Sequence, residues 1–159
     1  MISGKTKLIA HIGYPTEAFK APLIYNPWFD KHGVDAVVVP MGVREEDYPA
    51  SLRAIFRFSN IHGALVTMPH KVTTMTLADE ATITAKIAGA ANALIKRADG
   101  TLLADQFDGA GFARGVARKG FKTKGSRILT GGTGGVGCPI AASLAADGAA
   151  SISLFDLNT

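Results

Sequence analysis

A chain of 159 residues holds one full domain, or one domain with part of a second. Its 47% hydrophobic and 19% charged content excludes a disordered polypeptide. The net charge of +4 does not mark a nucleic-acid binder, because the densest basic patch, residues 114–127, has six Lys or Arg with a single aromatic, Phe121, and reads as a solvated helix face and loop.

The lone Cys138 excludes an internal disulfide and leaves no zinc set. His11, His32, His62 and His70 fall on separate segments without metal-ligand spacing. No N-terminal apolar run is long enough for a signal peptide or membrane span, so a soluble cytoplasmic protein without a membrane partner is expected.

In chain order, "KLIAHIG" (7–13) predicts a buried strand. "APLIYNPWFDKHG" (21–33) has helical spacing at Leu23, Ile24 and Trp28, with Gly33 as its stop and Pro27 as an expected break or offset. "VDAVVVPMGV" (34–43) is β-rich and apolar on both faces. "EEDYPASLRAIFRFSN" (45–60) predicts an amphipathic helix with an acidic first turn. "GALVTM" (63–68) is a third strand, and the stretch "GALVTMPHK" ends on His70 and Lys71, so the strand is expected to deliver the lysine from its C-terminal end. Alternation would turn His70 to the opposite face, as a structural residue.

Three apolar strands alternating with two helices predict a mostly parallel α/β sheet. A helical stretch over about 72–88 follows, then strands at 91–97 and 101–106 joined by "ADG" as a hairpin on the sheet edge. A connecting helix is predicted over 108–120, then a basic linker at 122–126. The expected division is an α/β substrate-binding domain (1–107), a connecting helix and linker (108–125), and the first βαβ unit of a Rossmann-type dinucleotide-binding domain (126–159).

That last unit is read from Gly132, Gly134 and Gly137, which satisfy G-x-G-x-x-G. The motif alone is weak. Here it follows an apolar strand (127–130), opens a helix, and leads to a second strand ending at Asp156, 19 residues past Gly137. Gly132, Thr133, Gly134, Gly135, Val136 and Gly137 would present backbone amides and a helix N-terminus to a pyrophosphate. Asp156 would accept from the adenosine ribose hydroxyls and repel a 2′-phosphate, which favours NAD over NADP. The plainer alternative is a glycine-rich turn without a ligand, with Cys138 a small filler rather than a nucleophile.

A nicotinamide enzyme acting on an alcohol needs a group to take or give the hydroxyl proton. Lys71 serves if its surroundings lower its pKa or if water relays the proton, and it needs an orienting carboxylate. "LLADQFDGAG" (102–111) offers Asp105 and Asp108, the second at a strand-to-helix turn.

With these residues the sequence resembles the shikimate dehydrogenase family, which includes the quinate/shikimate dehydrogenases. "GALVTMPHK" is similar to G-x-N-V-T-x-P-x-K except for Leu65, "AGAANALI" (88–95) to the segment carrying the family's asparagine, and "ADQFDGAG" to G-x-N-T-D-G-x-G. The resemblance implies a lysine–aspartate proton-transfer pair at Lys71 and Asp108, with Asn92 and Thr67 on the substrate. It further implies NAD or NADP as cofactor, a cyclic hydroxy acid or alcohol as partner, and a role in aromatic amino acid biosynthesis. A homodimer is left open.

The sequence departs from the family where "GYPTEAFKAP" (13–22) places Phe19 and Ala21 at the positions of two serines that hold the substrate carboxylate, and where Leu65 and Phe107 replace polar residues. Each hydrogen bond lost to a charged group costs about 1.5–3 kcal/mol. The expectation is a proton-transfer pair retained with substrate preference shifted toward a less polar or differently substituted ring, unless Lys20 or Tyr25 rescues the carboxylate. The chain ends after one βαβ unit, so a fragment is expected, with an apolar edge beside the last strand. Two other readings stand: a non-catalytic remnant that binds a small ligand or none, and a lysine-containing dehydrogenase of the methylenetetrahydrofolate type, which "NAL" and "DG" fit less well.

Overall fold

The computed structural model describes residues 2–157. The elements are β1 (Lys7–Gly13), α1 (Ala21–His32), β2 (Ala36–Gly42), α2 (Tyr48–Ile55), β3 (Ile61–Val66), α3 (Lys71–Leu77), β4 (Glu80–Ala81), α4 (Ile83–Ala88), β5 (Ala93–Lys96), β6 (Leu102–Asp105), α5 (Asp108–Arg118), β7 (Arg127–Gly131), α6 (Gly137–Ala146) and β8 (Ser151–Phe155). They form a six-stranded sheet ordered β2-β1-β3-β5-β6-β4 and a two-stranded parallel sheet, β7-β8. β2, β1 and β3 run parallel, and the β5–β6 hairpin joins β3 antiparallel.

Strand alternation decides where the core lies. Ala10, Ile12, Ala64, Val66, Leu94, Leu102 and Ala104 share one buried cluster with Tyr48, Leu52 and Phe56. Tyr48 and Leu52 stand four residues apart, so one stripe of α2 meets the sheet. The helix is shorter than the predicted 45–60: the acidic residues Glu45, Glu46 and Asp47 precede it, so its first turn is not acidic.

α1 departs from expectation in the other direction. It runs unbroken through Pro27 and stops where Gly33 adopts φ 65°. The helix tolerates the proline because the side chain of Asn26 clamps it to the sheet: Nδ2 donates to the Val38 carbonyl at 3.1 Å and Oδ1 accepts from the Val38 amide at 2.8 Å. β2 is an edge strand, so those groups of Val38 lack a ladder partner, and the edge also accommodates Pro40.

The stretch predicted as one helix over 72–88 is two helices around a two-residue strand, β4. Thr82 ends any continuity: its backbone is extended and its hydroxyl accepts from the Ala85 amide, so it caps a new helix. β4 pairs with β6, so the β5–β6 hairpin sits one short strand inside the sheet edge. The βαβ unit built by β7, α6 and β8 docks through α6 against α5. Gly109 on α5 permits the approach, because a Cβ there would fall on the Pro139 carbonyl.

Candidate active site

β3 ends at Val66, and a turn with a cis Met68–Pro69 peptide carries the chain into α3, whose first residue is Lys71. The lysine is therefore delivered by a helix N-terminus rather than by the strand end. His70 faces away from it into the core: its ring stacks on Tyr48 at 4.0 Å and 7°, and Nε2 donates to the Val43 carbonyl at 2.9 Å. The Thr74 hydroxyl donates to the His70 carbonyl, so the Tyr48 hydroxyl donates to Thr74 at 2.7 Å. Burial pushes the Tyr48 phenol up to about 12. This buried stack fixes the turn from which Lys71 projects.

The Lys71 side chain crosses to Asp108, the first residue of α5, with Nζ 2.5 Å from Oδ2. Asn92 donates to the other carboxylate oxygen at 2.8 Å, and its own Oδ1 accepts from the Phe107 amide at 3.0 Å. Three sequence-distant residues thus converge, with both oxygens of Asp108 engaged. The pair is only partly shielded, its side chains 11% and 26% exposed, so a ligand can reach it. Asp105, the other carboxylate of that segment, takes the Thr82 hydroxyl at 2.6 Å and lies outside the constellation.

Gln106 is a site residue that the sequence reading passed over. Its side chain is almost fully buried; Oε1 accepts from the Asp108 amide at 2.9 Å and Nε2 donates to the Gly135 carbonyl at 3.2 Å. The signal was its place two residues before Asp108, where a buried amide can bridge two backbone segments.

The glycine loop lies against the lysine stem. A Cβ on Gly135 would stand 3.3 Å from Lys71 Cβ, and a Cβ on Gly137 would fall on the Gly132 carbonyl. Loop and turn enclose a cavity of about 420 Å³ bounded by Gly132, Gly134, Gly135, Val136, Gly137 and Lys71. Its walls are backbone-rich where a pyrophosphate would approach, which fits a dinucleotide. Thr133 faces elsewhere: its amide and hydroxyl both bond Asp156 Oδ2, at 2.6 and 2.9 Å. Asp156 follows β8 directly, tied to the loop at its base. The Cys138 thiol donates to the Thr133 carbonyl.

The remaining predicted substrate residues separate. Thr67 and Phe19 line a second cavity of about 250 Å³ beside the turn, with Lys20 exposed at its rim, and Ala21 opens α1. Leu65 lies on the opposite side of its strand from the core and lines an apolar cavity beneath α1, together with Tyr25. Among the described residues no cluster of three or more His, Cys, Asp or Glu could hold a metal, and no helix is long and apolar enough to cross a membrane.

A lysine, a carboxylate and an amide from three separate segments thus converge beside a glycine loop at a strand-to-helix turn. Residues 11–94 match the sequence profile of the shikimate dehydrogenase substrate binding domain, and the chain belongs to that family. It is 39% identical over 154 residues to the shikimate dehydrogenase (NADP(+)) of Geobacter metallireducens, covering 96% of this chain and 53% of that protein. It is 35% identical to the enzyme of the same name from a Ruegeria species, covering 97% and 56%. The chain therefore spans about half the length of the curated relatives it matches. The crystal structure of shikimate 5-dehydrogenase from Listeria monocytogenes in complex with shikimate and NAD superposes with a TM-score of 0.89 at 28% identity, covering 99% of this chain and 54% of that one. A shikimate dehydrogenase in complex with NADP+ gives 0.91 at 30% identity, with 99% and 54% covered.

Proposed function

We propose that the chain carries the substrate cleft and the pyrophosphate-binding half of a dehydrogenase that moves a hydride between NAD(P) and a cyclic hydroxy acid or related alcohol. The observation that carries this reading is the contact of Lys71 with Asp108, braced by Asn92 and packed against Gly135. A bound nicotinamide dinucleotide would supply the hydride acceptor or donor. Lys71 and Asp108 hold and move the proton of the ring hydroxyl: the carboxylate orients the ammonium, and Asn92 keeps the carboxylate from rotating while reaching a substrate hydroxyl. Thr67 lines the smaller cavity on the other side of the turn that leads to Lys71.

The amides of Gly134, Gly135, Val136 and Gly137 would receive the pyrophosphate at the start of α6, those of Gly132 and Thr133 being held by the Phe155 carbonyl and the Asp156 carboxylate, and Asp156 would accept from the adenosine ribose hydroxyls. We infer a preference for NAD, because a carboxylate at that strand end repels a 2′-phosphate and Thr133 holds it in place. The relatives named above are called NADP-dependent, while the Listeria enzyme was crystallised with NAD.

Calorimetric titration of the chain with NAD and NADP tests the reading, followed by a screen of cyclic alcohols at the nicotinamide absorbance band. The expected result is NAD binding at least ten-fold tighter than NADP, with Asp156→Asn narrowing the gap. Absence of dinucleotide binding at millimolar concentration would favour a non-catalytic ligand-binding remnant instead.

A further inference from the structure

Gln106 is a buried side chain whose two polar ends meet opposite halves of the cleft. Only 1% of the residue is exposed. Oε1 faces a donor, the Asp108 amide at 2.9 Å, and Nε2 faces an acceptor, the Gly135 carbonyl at 3.2 Å. A glutamate would set an oxygen against the Gly135 carbonyl, and a methionine would serve neither group, so these two partners require a glutamine.

The pattern G-x-N-T-D-G-x-G that residues 104–111 resemble has an asparagine at this place. An asparagine oxygen accepts from the amide two residues on, so it would hold the turn at Asp108 as well. It is shorter by one C–C bond, about 1.5 Å, and would leave the Gly135 carbonyl out of reach. The bridge to the glycine loop is what the longer side chain adds in this protein.

That bridge runs in line with the site at both ends. The Gly135 carbonyl belongs to the same peptide group as the Val136 N–H, one of the amides offered to a pyrophosphate. A phosphate oxygen accepting from that N–H polarises the group and strengthens its carbonyl as an acceptor for Gln106 Nε2. The glutamine amide is polarised in turn, and its Oε1 draws harder on the Asp108 N–H. Gly135 also lies against the other member of the pair, since a Cβ there would stand 3.3 Å from Lys71 Cβ. One loop residue therefore meets Lys71 through packing and Asp108 through a single hydrogen-bonded side chain.

We propose that Gln106 is a positioning residue that links occupancy of the glycine loop to the placement of Asp108, so that a dinucleotide seated on the loop tightens the start of α5 against the Gln106 amide. The inference rests on the dehydrogenase reading above and deepens it, by naming how the cofactor half of the site acts on the proton-transfer half.

The test is a titration of the intact chain and of Gln106→Asn with ADP-ribose, which carries the pyrophosphate and lacks the nicotinamide ring. The readout is the backbone amide resonance of Asp108 at saturation. It is expected to move in the wild-type chain and to stay in place in Gln106→Asn, whose ADP-ribose affinity falls about two- to ten-fold, the worth of one neutral hydrogen bond. A purely structural Gln106 would leave the displacement the same in both proteins. If Gln106→Asn fails to fold, the wild-type chain still decides, because the side-chain amide protons of Gln106 and the Asp108 amide should move with one midpoint. An Asp108 amide unmoved in the wild-type chain, equal displacement in Gln106→Asn, fixed Gln106 side-chain resonances, or a chain that binds NAD but not ADP-ribose would each overturn the link alone. A chain that binds neither compound at millimolar concentration would overturn the dehydrogenase reading, and the link with it.

Discussion

Gln106 joins the two halves of the cleft through one side chain. Its two hydrogen bonds run to the amide of Asp108 and to the carbonyl of Gly135, so the position of the carboxylate and that of the glycine loop are coupled. Gln106→Leu leaves both half-buried backbone groups without their partner, and is expected to cost about 1 kcal/mol in urea unfolding and to weaken dinucleotide binding. His11 acts on stability in another way. Its folded pKa lies below the ordinary value of 6.5, so as pH falls through and below that value the unfolded chain binds a proton that the folded chain refuses. Stability is fully present above pH 6.5 and is lost toward the lowered folded value. His11→Val should flatten that acid-side loss, as measured by urea midpoints across the range. That Lys71, Asp108 and Asn92 meet was legible in the sequence because each sits in a short motif. Gln106 was not, since a buried amide's role depends on what stands opposite it in space.

At the scale of elements, legibility followed the strength of local signals. β1 was read with its observed bounds because a mainly apolar stretch is closed by Gly13 and Pro15, and Gly33 marked the end of α1. Pro27 misled because the anchor that steadies the helix, Asn26 on Val38, is tertiary. The break between α3 and α4 was hidden because Thr82 reads as a helical residue until its cap to Ala85 is seen. The α5–α6 contact depends on the absence of one side chain. Gly109→Ala would place a methyl on the Pro139 carbonyl, forcing α6 and its βαβ unit away from α5. A loss of about 1–3 kcal/mol is expected, with weaker dinucleotide binding as the second readout.

Across the whole molecule, the core is one-sided. α2 seals one face of the six-stranded sheet, while α1 has no buried residue and leaves Leu23, Ile24 and Trp28 exposed. The β7–β8 sheet also shows Leu129, Leu154 and Phe155 to solvent. Between these two units lies the crevice that gathers Lys71, Asp108, Asn92 and the glycine loop. The proposed catalytic role of Lys71 is tested most directly by comparing NAD affinity with the rate of cyclic-alcohol oxidation in the intact chain and in Lys71→Met. If Lys71 handles the hydroxyl proton, NAD binds both proteins equally while the rate falls by about 10²–10⁴-fold in the variant. A Lys71→Met chain that oxidises the alcohol at the unaltered rate would contradict the account.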